Sequence, residues 1–205
     1  FDFYAQGSTF VYDSFMLNLN YIDSLTFMVK TKGLLTGADS LVKVKNVLTV
    51  LNGRIYVDEA YNKSGLRRLD QYPIFVSNEE SYVYFNKRSI QDSTLTPENF
   101  YYRVEPFTFD SLSTFTTQGL AFEGSLTSAG IFPTINQPII VMDDYSLGFT
   151  HHTPRDGYEI YGGKGVFTSD VKLSNKGFEG LGTLEYLTAT TSSDRFLFYP
   201  DSLVG

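Results

Sequence analysis

His151-His152 is the chain's only histidine cluster, and Asp143, Asp144, Asp156 and Glu159 lie near it in sequence. Imidazole beside carboxylate can hold zinc or relay a proton near neutral pH. Neighbours on a strand point to opposite faces, however, so His151 and His152 would share one metal only from a loop. The plainer reading is a polar tip ahead of Thr153-Pro154. Asp143-Asp144 is a candidate calcium pair, but the alternating acidic loop that ends in Glu is absent around it. Asp143, Asp144, His151 and His152 are therefore the only candidate metal-site residues, and no catalytic residue or cofactor is expected.

Three further patterns suggest chemistry. Glycosidases need two carboxylates at a fixed separation, and Asp58-Glu59 and Glu79-Glu80 join Asp143-Asp144 as adjacent acids. Nothing in their spacing makes any pair converge, and acids in exposed turns explain them. The glycines of Tyr161-Gly162-Gly163-Lys164-Gly165 and of Gly177-Phe178-Glu179-Gly180-Leu181-Gly182 superficially resemble phosphate-binding loops. Those loops need a helix behind them to meet the anion, whereas alternating strands follow here, so turns and close backbone packing are expected. Asn62-Lys63-Ser64 is a formal glycosylation sequon, and the tyrosines could form a sugar-binding platform.

The elements that would position these residues are strands. Residues 1–12, 24–29, 42–47, 53–57, 81–85, 100–104, 119–126, 138–142, 165–168, 171–173, 182–187 and 196–199 alternate apolar with polar, the pattern of half-buried β-structure. Asn52-Gly53 predicts a type I′ hairpin joining residues 47–51 to 54–57, and Asn175-Lys176-Gly177 and Arg155-Asp156-Gly157 carry similar turn chemistry. Helix signals are few. Thr96-Pro97-Glu98-Asn99 supports about one turn, and residues 36–41 another. The expected fold is all-β, with many short, mostly antiparallel strands in an elongated or curled sheet or solenoid-like segment; a β-sandwich is the alternative. Residues 1–205 read as one β-rich segment, with possible seams at 60–72 and 86–98.

Composition agrees. The chain has 15 Tyr and 18 Phe but neither Trp nor Cys, and aromatic enrichment suits pleated surfaces. Sixteen basic and 23 acidic residues give a net charge of −7, which argues against nucleic acid as a partner. Without cysteine there is no disulfide or thiolate metal site, and the compartment stays open. No run approaches the ~18 apolar residues of a membrane-spanning helix. The chain opens at Phe1, so any targeting segment is expected outside it.

Asp-Ser-Leu occurs four times, starting at Asp23, Asp39, Asp110 and Asp201. Asp110 follows Asp23 by 87 residues and precedes Asp201 by 91, as if a large unit were seen about twice. Asp-Ser starts turns economically, because both side chains bond nearby amides. The opening Phe1-Asp2-Phe3-Tyr4 and the closing Phe196-Leu197-Phe198-Tyr199 share one idiom, which suggests a segment of a longer array.

Several strings together carry a family resemblance: Tyr72-Pro73-Ile74-Phe75, Ser81-Tyr82-Val83-Tyr84-Phe85, Ser128-Ala129-Gly130-Ile131-Phe132-Pro133, Asp144-Tyr145-Ser146-Leu147-Gly148-Phe149, Tyr161-Gly162-Gly163-Lys164-Gly165, Gly180-Leu181-Gly182-Thr183-Leu184-Glu185-Tyr186-Leu187 and Phe198-Tyr199-Pro200-Asp201-Ser202. Their combination resembles the repetitive portion of very large cell-envelope proteins of Bacteroidota-type bacteria. The alternation at 180–187 is also similar to the β modules of AsmA- and TamB-type envelope proteins, which resemble open lipid-guiding grooves. The resemblance implies a non-enzymatic structural or assembly segment in the cell envelope (periplasm, outer-membrane-associated or cell surface). Neighbouring segments of the same protein would be its partners, with other envelope proteins, glycan or lipid beside them. A carbohydrate- or lipid-binding module is the alternative, and a glycoside hydrolase-like enzyme comes behind both.

Overall fold

The computed structural model describes residues 1–32, 39–50, 52–112 and 120–205. The chain is all-β, with twenty strands and one three-residue helical turn among the described residues. In the first half these are β1 (Asp2–Val11), β2 (Met16–Thr26), β3 (Met28–Lys32), β4 (Asp39–Lys43), β5 (Leu48–Val50), β6 (Gly53–Tyr56), β7 (Ile74–Ser77), β8 (Ser81–Tyr84), β9 (Phe100–Val104) and β10 (Thr108–Phe109). The second half adds β11 (Ala121–Phe122), β12 (Gly124–Ser128), β13 (Ile135–Asn136), β14 (Ile139–Val141), β15 (Leu147–His152), β16 (Tyr158–Ile160), β17 (Gly165–Ser174), β18 (Gly177–Tyr186), β19 (Ala189–Phe198) and β20 (Leu203–Val204). They gather into two compact units: residues 1–82 with 104–122, and residues 83–103 with 123–205. Segment 60–72 falls in the first unit and segment 86–98 in the second.

In the first unit β1 and β2 form a long antiparallel hairpin, and β3 and β4 form another. The far side of β2 carries two partners in line: β6 against Met16–Leu19, and β5 against Ile22 and Leu25. β7 then pairs with β6, and β10 with β7. Of the hairpin expected at Asn52-Gly53, Leu51 lies outside the described residues; among the described residues β5 and β6 pair with the same edge of β2 and not with each other. Gly53 has no positive φ, and its glycine identity answers a different need. A Cβ there would sit 2.5 Å from the Phe75 ring and 2.9 Å from the Val76 carbonyl.

The second unit uses the same device. β17 pairs along its length with β18, while β15 and β16 lie in line on its other side. Arg155-Asp156-Gly157 therefore lies in the protruding link between collinear strands, where Gly157 N–H bonds the Pro154 carbonyl at 2.8 Å. At that junction Ser169 of β17 takes a positive φ (99°), and its N–H donates to Thr153 Oγ1 at 3.0 Å. The sequence expectation of two strands, 165–168 and 171–173, is replaced by one continuous strand whose register with β18 runs through Ser169. Asn175-Lys176 does form a two-residue hairpin turn, with Ser174 opposite Gly177. Beyond β18 come β19 and β20, and on the β15 side comes β14. Thr96-Pro97-Glu98-Asn99 makes its single turn, closed by Phe100 N–H to the Thr96 carbonyl at 2.8 Å. Of the turn expected at 36–41, residues 36–38 lie outside the described residues, while 39–41 belong to β4.

Both cores pack phenylalanine among Leu, Ile and Val. In the first unit Phe109 and Phe122 pack edge-on at 5.3 Å, Phe107 and Phe122 at 5.2 Å, and Phe3 lies 4.8 Å from Phe75. In the second, Phe132 sits among Phe167, Phe178 and Phe198 at 5.9, 5.3 and 4.9 Å, each edge to face. Such geometry sets a ring's positive edge on its neighbour's negative face. Tyrosine is exposed, as at Tyr4, Tyr12, Tyr21 and Tyr61, or half-buried, as at Tyr56 and Tyr158, because its hydroxyl needs water or a partner. Tyr102 is the informative exception: fully buried, it donates to the Gln137 carbonyl at 2.8 Å.

Candidate functional site

The four candidate residues sit on two neighbouring elements of the second unit and serve separate contacts. Asp144 lies in the turn between β14 and β15, where its Oδ1 accepts the Ser146 N–H at 3.1 Å and the Ser146 hydroxyl at 2.5 Å. Ser146 Oγ in turn accepts the Asn175 N–H at 3.1 Å. Asp143 is exposed. His151 and His152 end β15. His151 lies between Gln137 Oε1 (3.1 Å from Nδ1) and the Tyr158 hydroxyl (2.9 Å from Nε2), while His152 Nδ1 pairs with Asp170 at 2.8 Å. Burial, helped by the neighbouring His152, lowers the His151 pKa below its ordinary value of 6.5. Among the described residues no group of three or more His, Asp or Glu could hold a metal ion.

The other acid pairs also meet local partners. Asp58 accepts the Glu59 N–H at 2.7 Å and the Asn62 amide at 2.8 Å, and Glu79 accepts the Asn52 amide at 2.5 Å. Asn62 is buried and spends its whole side chain on this loop: Nδ2 also donates to the Arg67 carbonyl at 2.7 Å, and Oδ1 accepts the Arg67 N–H at 3.0 Å. The sequon asparagine is thus a loop clasp in the folded chain. Charges that sequence spacing did not connect do meet on the face of β17, β18 and β19, where Asp170, Lys172, Glu179, Asp194 and Arg195 line one shallow depression. Strand register brings Lys172 opposite Glu179, and Arg195 Nε donates to Glu179 Oε1 at 2.7 Å.

Strand edge is a feature suited to a partner. β1 pairs with β2 alone among the described residues. Its ten residues, DFYAQGSTFV, contain no proline and no basic residue, the usual guards of an edge. A register shift at Tyr4/Ala5 and left-handed Gly7 (φ 68°) divide it, leaving Ser8 to Val11 in unbroken register with β2. Tyr4 and Phe10 on this strand, and Tyr12 in the turn after it, are exposed. The second unit has its counterpart in β19. Its last residues hold β20, but residues 189–194, ATTSSD, have no outer strand among the described residues. An edge of this kind offers a row of free N–H and C=O groups to an incoming strand.

No protein-family model matches the chain, and no curated protein or solved structure matches it significantly. No helix among the described residues is long and apolar enough to cross a membrane.

Proposed function

We propose that this chain is a non-enzymatic structural or assembly segment of a large bacterial envelope or surface protein, joined to its neighbours by strand addition. The observation that carries the reading is an edge left open among the described residues in each unit: β1 in the first and the first half of β19 in the second. Two different edges on one chain make a head-to-tail contact, which propagates into an array where a self-complementary contact would close into a dimer. Exposed Tyr4 and Phe10 add apolar contact to the backbone pairing. The candidate acids and histidines support the same reading, since Asp144, His151 and His152 each hold a neighbouring group in place.

The test uses the chain as its own partner. Sedimentation velocity from about 1 to 200 µM should show reversible association, the weak range expected of a small interface. A variant carrying Phe10→Lys and Thr190→Lys, which charges both edges, should stay monomeric with an unchanged circular dichroism spectrum. A wild-type chain that sediments as one monomeric species at every concentration refutes edge-to-edge assembly. So does association that the two lysines leave untouched.

A further inference from the structure

The segment Tyr161-Gly162-Gly163-Lys164-Gly165 has no part in the strand edges, yet its backbone is unusual. Residues 161, 162 and 163 take φ values of 51°, 68° and 85° in succession. Glycine adopts that region freely, but Tyr161 does so at a cost, which points to a side chain held for a purpose. The Lys164 N–H closes the turn on the Ile160 carbonyl at 3.1 Å. Tyr161 reaches residues 199–203, its hydroxyl lying 2.9 Å from the Tyr199 carbonyl and 2.7 Å from that of Ser202. Burial and the nearby Asp201 carboxylate push the phenol pKa far above its usual value, so it stays a neutral donor.

Behind this turn the sheet is hollow. Register lays Ile160, Gly165, Tyr186 and Ala189 in one row across β16, β17, β18 and β19. Two nearly bare positions flank Tyr186, and its ring covers the glycine: a Cβ on Gly165 would lie 3.2 Å from Tyr186 Cδ2. Leu184, opposite Thr191, forms the next row. The result is a depression of about 610 Å³, within the size range of small-molecule sites. Its floor is apolar and aromatic. Lys164, Asp201, Thr191 and Ser202 also line it, and the Ser202 hydroxyl donates to Asp201 Oδ1 at 3.1 Å.

One cationic and one anionic residue in the same lining favour a ligand without net charge, and a bare hydrocarbon would leave both unused. A sugar satisfies all of them, with a C–H face for the ring and hydroxyls that both donate and accept. We infer that this depression binds a neutral oligosaccharide, one pyranose ring lying on Tyr186 and its hydroxyls bonded to Lys164 and Asp201.

The full chain is screened on an array of neutral and acidic glycans, and hits are titrated by calorimetry and by amide chemical shifts. The expected result is a neutral glycan that shifts residues 160–165, 184–191 and 199–203. Tyr186→Ala should weaken it about tenfold or more, Tyr186→Phe should keep it within about threefold, and Asp201→Asn should weaken it severalfold. Tyr186 is partly exposed, so these variants should keep the parent circular dichroism spectrum; Tyr4→Ala, far from the depression in sequence and in the other unit, is the control. The inference is overturned by an empty array with no amide shifts at about 10 mM maltotriose, cellotriose or chitotriose. It is equally overturned by binding that Tyr186→Ala leaves intact, or by selective uptake of a fatty acid at these residues with no glycan bound.

Discussion

Replacing Gln91 by leucine removes two hydrogen bonds that join distant parts of the second unit. The side chain is buried, with Nε2 donating to the Phe198 carbonyl at 2.6 Å and Oε1 accepting the Phe178 N–H at 2.8 Å. It thus ties the loop before β9 to the start of β18 and the end of β19. Gln91, Asp92 and Ser93 hold φ values of 45°, 52° and 62° to deliver it. Leucine fills the space but leaves a buried donor and a buried acceptor without partners, each worth about 1–3 kcal/mol. Taking about 2 kcal/mol for each group, and about 1.5 kcal/mol offset by burial of the added apolar surface, the net loss is about 2.5 kcal/mol. At a urea slope of about 2 kcal/mol/M the midpoint should fall by about 1.2 M. Tyrosine fluorescence reads the transition, and hydrogen exchange at the Phe178 amide assigns it to the second unit. Gln91→Glu sharpens the test. A protonated carboxyl can make both bonds, while a carboxylate faces the Phe198 carbonyl, so its pKa rises in the folded state. The folded variant then holds more protons, and its stability is fully present below the unfolded value of about 4.3 and lost as pH rises through the folded one. A leucine variant with an unchanged midpoint, or a glutamate variant insensitive to pH, refutes the account.

Three shorter predictions follow from other contacts. The His151 pKa is lowered by folding from 6.5, so the unfolded chain binds more protons: the associated stability is complete above about 6.5 and falls with pH through the lower folded value. His151→Gln should flatten that part of the urea-midpoint profile, and an unchanged slope would count against the assignment. Gly53→Ala should cost about 1–3 kcal/mol, since its methyl group meets the Phe75 ring and the Val76 carbonyl; paired Gly53→Ala and Phe75→Leu should recover part of the loss in thermal melts. Asn62→Ala should destabilise the 58–67 loop by about 1–3 kcal/mol and expose it to limited proteolysis, whereas an exposed sequon asparagine would be neutral.

Alternation in the sequence was enough for the all-β class, because a period of two is a local property of the pleat. The same reasoning placed the Asn175-Lys176 hairpin and the single turn at Thr96. It also separated His151 from His152, because adjacent strand residues diverge. It was not enough for pairing. Asn52-Gly53 has ideal hairpin chemistry, yet β5 and β6 both find the free edge of β2, a choice made by residues some thirty positions upstream. Strand β2 itself begins at Met16, ahead of the expected 24–29, because it pairs with β1 back to Val11, opposite Met16.

The residues with the most specific geometry were the least visible in sequence. Gln91 stands in a polar stretch that resembles a seam, and its meaning depends on Phe178 and Phe198, which lie 87 and 107 residues away. Tyr161, Lys164, Tyr186 and Asp201 become neighbours only when the register of four strands and a left-handed turn are both set. Local order follows from each residue's own backbone and side-chain preferences, which a linear chain displays directly. Register, edges and concavities depend on which distant strands exclude water together, and only the tertiary structure decides that.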